Sequence, residues 1–148
     1  MPYAAALSLH PDAAEATGEV VGAVLEGLGA EPDLAVLFCS AQHVDAVADV
    51  AGAVRQLLRP GVLVGATAVA VVEGAREIED EPAVALWAGR LADRPLPVRL
   101  AAARTPTGVA LSGLSASTFR PGDTLLLLAD PFTPVSYTHL TLPTIYSV

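Results

Sequence analysis

The sequence contains no lysine and no asparagine, and all eight of its basic residues are arginine. Sixteen acidic residues leave a net charge of −8. Because a chain with this balance repels nucleic-acid phosphates and anionic lipid, we expect neither nucleic acid nor a membrane surface as a partner. The absence of Lys and Asn, together with abundant Ala, Gly, Val, Leu and Pro, is typical of a GC-rich bacterial genome.

Cysteine and long apolar runs are also scarce. Cys39 is the single cysteine, so an internal disulfide is excluded. No run of about 18 apolar residues is free of charges and turn formers, and the start of the chain lacks the basic region and apolar core of a signal peptide. We therefore expect a soluble, cytoplasmic protein. Its 148 residues, 53% of them hydrophobic, suffice for one domain with a core.

The first part of the chain predicts two successive units of one strand and one helix. Residues 3–9 form a short apolar run, after which Asp12 and Glu15 stand at capping-box spacing before a helix that Gly29 closes. Residues 33–40 form a continuous apolar run, as expected for a strand buried on both faces. The buried side of the first helix is predicted to consist of Val20, Val21, Val24, Leu25 and Leu28.

A second helix is predicted after Ser40, which stands in the position of an N-cap residue. The buried side of this helix is predicted to consist of Val44, Val47, Ala48, Ala51, Val54 and Leu58. Apolar runs at 62–72 and 83–91 then predict two strands that pair as a long hairpin across the charged, turn-like segment 73–82.

Three further strands are predicted at 98–103, 106–114 and 124–130, with a turn at 120–123. The predicted fold class is therefore α/β, with a mixed sheet in which two N-terminal βα units are followed mainly by β-strands. We expect the domain to be incomplete.

The densest group of reactive side chains lies in residues 38–43, at a strand-to-helix junction of the kind where α/β folds bind ligands. Cys39 and Ser40 are candidate nucleophiles and His43 is a candidate base, and the helix N-terminus would lower the pKa of Cys39. The alternative interpretation makes them a core residue, a helix cap and a first-turn residue. We favour this alternative because no acidic partner for the base and no G-x-S-x-G elbow is present.

A second candidate site lies at residues 64–68, with the sequence VGATA. Gly65 would let backbone amides approach a small anionic or zwitterionic ligand, although the segment is neither a Walker loop nor a dinucleotide-binding motif. A close strand–helix contact that requires glycine explains Gly65 equally well. The acidic run at 77–82 lacks the spacing of a calcium loop, and His10 and His139 lack neighbours at metal-ligand spacing. We therefore expect no metal ion and no cofactor.

Several blocks of the sequence resemble, in order, the N-terminal domain of FIST proteins, sensory proteins named for F-box and intracellular signal transduction. The blocks are ALSLHPD, DLAVLFCSAQHVDAVADVAGAVRQLLRPGVLVGATA, GAREIEDEPAVALWAGRL and DTLLLLADPFTP, and together they span residues 3–134. The resemblance implies a non-catalytic domain that senses small molecules such as amino acids. It also implies a C-terminal FIST domain and a signalling partner.

In the FIST family the glycine-centred block after the second helix usually reads G-C-[ST], whereas here Gly65 is followed by Ala66 and Thr67. Alanine in place of cysteine removes any thiol chemistry from this block. The resemblance therefore implies that the block acts through its backbone and Thr67. We predict ligand-binding roles for Gly65, Thr67, Ser40 and His43, and we predict no catalytic residue and no metal ligand.

The last segment, residues 135–148, differs from the rest of the chain. It contains no Asp, Glu, Lys or Arg, and it is enriched in residues with AT-rich codons. Its first part, VSYTHLTLPT, is one reading frame of GTCTCTTATACACATCTGACGCTGCCGACG, which matches the transposon end and adapter of short-read sequencing libraries. The index bases and fixed stretch that follow account for the remaining residues and a stop codon. We therefore interpret 135–148 as adapter-derived and 1–134 as a partial FIST N-terminal domain.

Two other interpretations stay open. The protein could be a small-molecule hydrolase or transferase that uses Cys39, Ser40 or His43. Residues 1–134 could also be inactive alone if a missing continuation completes the sheet, because an open strand edge and exposed apolar surface favour aggregation.

Overall fold

The computed structural model of the chain describes residues 2–98, 101–106, 108–113, 120–126 and 128. The chain forms two compact units, with the boundary between Leu96 and Pro97. Within the described residues, the first unit contains a mixed sheet with helices, and the second contains a two-stranded hairpin.

The first unit begins with the two predicted βα units. β1 (Tyr3–Ser8) leads into α1 (Ala13–Leu28). β2 (Leu34–Ser40) leads into a 3₁₀ helix, η1 (Ala41–Ala46), which continues directly as α2 (Val47–Leu58). The predicted order of these elements is confirmed.

Four strands follow in the same unit. They are β3 (Val62–Ala68), β4 (Ala70–Glu73), β5 (Arg76–Glu79) and β6 (Val84–Gly89). The main sheet has the order β1-β6-β2-β3, in which β2 and β3 are parallel and β6 is antiparallel to both β1 and β2. The predicted α/β fold with a mixed sheet is confirmed.

This topology gives the sheet two chemically different edges. β1, β2 and β3 point in one direction, so their C-terminal ends and the N-terminal end of β6 meet at one edge, which we call the carboxyl edge. The opposite edge is called the amino edge. α1 and α2 both begin on the side of the carboxyl edge, because each follows a strand that ends there.

The predicted long hairpin between 62–72 and 83–91 is wrong. The first run breaks at Val69, and β4 pairs instead with β5 in a short hairpin that turns through Gly74, whose φ is 59°. β5 lies inside the segment that sequence reasoning assigned to a charged turn. Its Ile78 is buried between exposed charged neighbours, which is the alternation of a strand with one covered face.

The helices pack on one face of the main sheet. Asp12 begins α1, since its Oδ1 accepts hydrogen bonds from the N–H groups of Ala14 at 2.9 Å and Glu15 at 3.1 Å, and Gly29 ends it in a left-handed conformation. The predicted burial of Leu25 is wrong, because this side chain lies at the margin of the buried stripe and is 39% exposed. The core between helices and sheet contains Ala16, Val20, Val21, Val24, Leu28, Ala35, Leu37, Cys39, Val50, Val54, Leu58, Val84, Leu86 and Ala88.

The predicted buried side of the second helix is only partly correct. Val44 is 49% exposed and Ala48 is exposed, whereas the buried residues of α2 are Val50, Val54 and Leu58. The cause is η1, which has about three residues per turn and therefore shifts the phase of the helix that follows it.

The β4–β5 hairpin packs on the other face of the sheet. A second, smaller core there contains Val71, Ile78 and Ala83, against which Leu7, Leu9, Phe38, Ala68 and Ala85 pack. β2 thus contributes alternate residues to two cores, as its continuous apolar run predicts.

In the second unit, β7 (Ala101–Thr105) and β8 (Gly108–Ser112) pair as an antiparallel hairpin, which confirms two predicted strands with shorter bounds. The predicted turn at 120–123 is confirmed by a hydrogen bond of 3.1 Å from Asp123 N–H to the Arg120 carbonyl. The predicted strand at 124–130 is wrong for residues 124–126 and 128, which form no strand. Residues 135–148 lie outside the described residues.

None of the helices in the described ranges has the length and the apolar character needed to cross a membrane.

Candidate functional site

Three of the four predicted ligand-binding residues lie at the carboxyl edge. Ser40 is the last residue of β2, Thr67 is the second-last residue of β3, and His43 lies in η1. η1 packs against the ends of both strands. Thr67 is exposed, whereas Ser40 and His43 are buried. Gly65 lies farther back, in the middle of β3.

His43 is the most unusual polar residue of this edge. Its side chain is only 3% exposed, and its Nε2 has no hydrogen-bond partner among the described residues. A buried polar atom without a partner costs about 1–3 kcal/mol. A group that pairs with Nε2 would recover much of this free energy, so the position suits a ligand contact.

The turn between β1 and α1, which contains His10 and Asp12, lies at the same edge as His43, because β1 and β2 both end there. Hydrogen bonds from the backbone N–H groups of Glu15 and Ala14 are the main cause that lowers the pKa of Asp12, and electrostatic interaction with His10 and His43 contributes. Loops from both βα units therefore meet at the carboxyl edge.

Hydrogen bonds hold this turn in place. His10 Nδ1 accepts from the Asp12 N–H at 3.1 Å, which assigns the proton of the neutral His10 ring to Nε2. The His10 N–H donates to Ser8 Oγ at 3.1 Å, and the buried Ser8 hydroxyl donates to Glu19 Oε2 on α1. The orientation of the His10 ring is thus set by the end of β1 and the start of α1.

Ser40 has a structural partner at this edge. Its Oγ accepts a hydrogen bond of 2.9 Å from the Ala83 N–H. Ser40 occupies the N-cap position of η1, but its side chain makes no capping bond, so the predicted cap is wrong. A hydroxyl that accepts one hydrogen bond can still donate its own hydrogen to a ligand.

Cys39 points away from Ser40, because successive side chains of a strand lie on opposite faces of the sheet. It is fully buried in the core beneath the helices. Burial raises the pKa of the thiol, so the predicted lowering by a helix N-terminus is wrong. The side chain is a small core residue, as the second interpretation of the sequence stated.

Gly65 lies against the backbone of the neighbouring strand. A Cβ atom at this position would lie 2.2 Å from the Leu37 carbonyl oxygen, so no side chain fits. The close approach involves strand β2, and not a helix as the sequence interpretation supposed. This packing explains the glycine, and the ligand-binding roles of Gly65 and Thr67 stay predictions.

Comparison with known families identifies the domain. The family model described as the FIST N domain matches residues 33–139. The chain belongs to the FIST N family. The FIST N match covers Ser40, His43, Gly65 and Thr67, begins after α1, and ends within the segment 135–148.

The relatives of this FIST N chain are uncharacterized mycobacterial proteins. One from Mycobacterium bovis and one from Mycobacterium tuberculosis strain CDC 1551 are each 44% identical over 126 residues, which is 83% of this chain and 32% of each relative. Another from Mycobacterium tuberculosis strain H37Rv is 36% identical over 129 residues, or 85% of this chain and 33% of the relative. The chain thus spans about a third of the length of these relatives. No solved structure matches it.

The sequence alone does not reveal the part of the first loop in this candidate site. Its spacing identifies Asp12 only as a helix cap and His10 only as a possible metal ligand, and it does not single out Ser8 or Glu19. The available signal was position: His10 and Asp12 follow β1 as His43 follows β2, and parallel strands bring such loops to one edge. Across the described ranges, no group of three or more His, Cys, Asp or Glu side chains is arranged to hold a metal ion.

Proposed function

We propose that this chain is the small-ligand sensing part of a signalling protein, and that the ligand, a small molecule such as an amino acid, binds at the carboxyl edge. The observation that supports this site is His43, which is buried there and whose Nε2 has no hydrogen-bond partner in the described ranges. Membership of the FIST N family supports a sensory role. Ser40 and Thr67 lie at the same edge, with their hydroxyl groups on opposite faces of the sheet, because Thr67 is in register with Cys39.

η1 connects the proposed ligand site to α2 and can therefore transmit a change in structure from one to the other. This 3₁₀ helix has six residues, whereas runs of more than about three or four are uncommon and often mark hinges. It passes into α2 without a capping side chain, and the Val47 N–H donates to the Val44 carbonyl across the junction. A ligand that pairs with His43 would shift η1, and α2 would move with it.

A non-catalytic role fits these residues better than the alternative hydrolase or transferase. The Cys39 thiol is buried with a raised pKa, which disfavours the nucleophilic thiolate. The Ser40 hydroxyl is engaged by Ala83 rather than by His43. Neither candidate nucleophile is therefore activated by a neighbouring base.

We also propose a C-terminal FIST domain and a signalling protein as partners, and a cytoplasmic location. The greater length of the relatives supports a C-terminal FIST domain as the partner of this one, with a signalling protein beyond it. A cytoplasmic location rests on the acidic composition and the unpaired cysteine.

Thermal unfolding in the presence of individual amino acids and other small metabolites tests the proposed site. A ligand at 100 times its Kd stabilises the folded state by about 2.7 kcal/mol. We expect His43→Gln to abolish the shift in Tm that such a ligand produces. Gln42→Ala changes an exposed neighbour on η1 and should leave the shift intact. A ligand-induced shift that survives in His43→Gln would contradict this site.

A further inference from the structure

Three of the five arginines of the first unit lie at the amino edge of the sheet. Arg55 and Arg59 lie at the C-terminal end of α2, and Arg90 follows the end of β6, so all three lie at the amino edge. Arg59 forms an ion pair there with Glu31 at 3.1 Å, and the Arg90 N–H donates to the Pro2 carbonyl. The other two arginines of the unit are Arg76, on β5, and Arg94, beyond β6.

The loops of the carboxyl edge carry acidic residues instead. Asp12 lies between β1 and α1, Asp45 lies in η1, and Glu81 lies just before β6. All three are exposed, and the sequence of these loops contains no arginine. An exposed ligand group at this edge therefore meets a negative potential.

The same edge also contains a buried polar side chain, the imidazole of His43. Its buried Nε2 has no hydrogen-bond partner within the part of the chain that the structure describes. η1, which carries His43, packs against the ends of β2 and β3, at the same edge as the loop that contains Asp12. Nε2 accepts a hydrogen bond when the neutral ring carries its proton on Nδ1, and our proposal assigns this tautomer. The edge thus combines a buried imidazole with exposed carboxylates, and its loops contain no arginine.

We propose that the ligand of this site carries a positively charged group, and specifically an ammonium group. An ammonium is purely a donor, so it can donate to His43 Nε2 while its charge is balanced by Asp12. Asp45 and Glu81 would attract it towards the edge. A carboxylate or phosphate ligand would instead face three carboxylates. This inference rests on the proposed function and adds the charge class of the ligand.

Three linear four-carbon probes of equal length test the charge class with the full chain: putrescine, 1,4-butanediol and succinate. Calorimetric titration at fixed ionic strength should show putrescine binding at least about tenfold tighter than 1,4-butanediol, with succinate the weakest of the three. His43→Leu, which removes the acceptor, should weaken the binding of both putrescine and 1,4-butanediol, because an ammonium and a hydroxyl can each donate to Nε2.

Two double variants distinguish the effect of charge at the carboxyl edge on putrescine binding from the effect of the protein's net charge. Asp45→Asn with Glu81→Gln should weaken putrescine binding by roughly three- to tenfold. Glu26→Gln with Asp93→Asn removes the same charge away from the carboxyl edge and should change binding less than about twofold.

Equal effects of the two double variants, or putrescine binding no tighter than the other probes, would overturn the inference. A neutral or anionic ligand whose binding depends on His43 and is tighter than that of putrescine would overturn it too, while leaving the proposed function standing. If no compound among the amino acids and metabolites bound in a manner that depends on His43, both would be overturned.

Discussion

Ser40 and Ala83 are joined by two hydrogen bonds at the carboxyl edge, one between backbone groups and one to the Ser40 side chain. The Ser40 N–H donates to the Ala83 carbonyl at 2.9 Å, and the Ala83 N–H donates to Ser40 Oγ at 2.9 Å. The pair ties the last residue of β2 to Ala83, directly before β6, and so continues the ladder in which Cys39 pairs with Val84. These two hydrogen bonds therefore fix the position at which η1, the 3₁₀ helix that contains His43, begins.

Ser40→Ala should destabilise the first unit by about 1–3 kcal/mol, because the buried Ala83 N–H would lose its acceptor. Urea denaturation followed by Trp87 fluorescence measures this loss. Ser112→Ala, which removes an exposed hydroxyl from β8, should cost less than about 0.5 kcal/mol. Equal losses in the two variants would contradict the role assigned to Ser40.

Gly65→Ala should destabilise the protein by about 1–3 kcal/mol, because the new Cβ would lie 2.2 Å from the Leu37 carbonyl oxygen and would force β2 and β3 apart. Gly18→Ala is a matched control on α1, where a Cβ meets nothing within 4 Å. It should stabilise the helix by roughly 0.5–1 kcal/mol. The two substitutions add the same methyl group, so effects of the same sign would argue against this packing.

The Cys39 thiol should react slowly with a disulfide reagent at pH 8, because it is buried and burial raises its pKa. We expect the rate in native buffer to be at least about a hundredfold below the rate in urea, since labelling then requires opening of the core. A control protein with Cys39→Ala and Ala41→Cys carries its thiol on exposed η1 and should react rapidly in both conditions. Rapid labelling of Cys39 in the native protein would support the alternative hypothesis that Cys39 is a nucleophile.

Protonation of Asp12 should account for part of the loss of folding stability in acid. Hydrogen bonds from Glu15 and Ala14 lower the pKa of this carboxyl from its ordinary value of 3.8. The stabilisation is therefore present above pH 3.8 and is lost as the pH falls through the lower pKa of the folded state. Urea midpoints measured between pH 2 and 6 should show a smaller acid-dependent loss in Asp12→Asn than in the wild type. Asp93→Asn should follow the wild-type curve, and an Asp12→Asn curve parallel to both would contradict this contribution.

The segment 135–148 is proposed to derive from a sequencing adapter, which leaves 1–134 as the partial FIST N-terminal domain. The nucleotides that encode VSYTHLTLPT should read GTCTCTTATACACATCTGACGCTGCCGACG, although many synonymous codons would encode the same residues. The sequencing read that encodes residues 135–148 checks this, and codons in that read that differ from the adapter would contradict the proposal. The genomic locus itself, sequenced without transposon adapters, should lack this adapter sequence.

The sequence predicted the local features of this fold well, because they depend on short-range spacing. The apolar repeat of Val20, Val24 and Leu28, the cap at Asp12 and the stop at Gly29 all act within a few residues, and each is confirmed. The family was also recognisable from ordered blocks of residues. The prediction failed at Val44 and Ala48, because the sequence pattern did not distinguish a 3₁₀ helix from the first turn of an α-helix.

What the sequence by itself determined is the succession of βα units, the capped first helix and the FIST N family. Only the tertiary structure decided which strands pair, since β6 enters between β1 and β2 through contacts between residues far apart in the chain. The same long-range pairing places Cys39 in the core and brings the loops of Asp12 and His43 to the same edge of the sheet. Local spacing encodes neither result, because both depend on where the ends of separate strands meet.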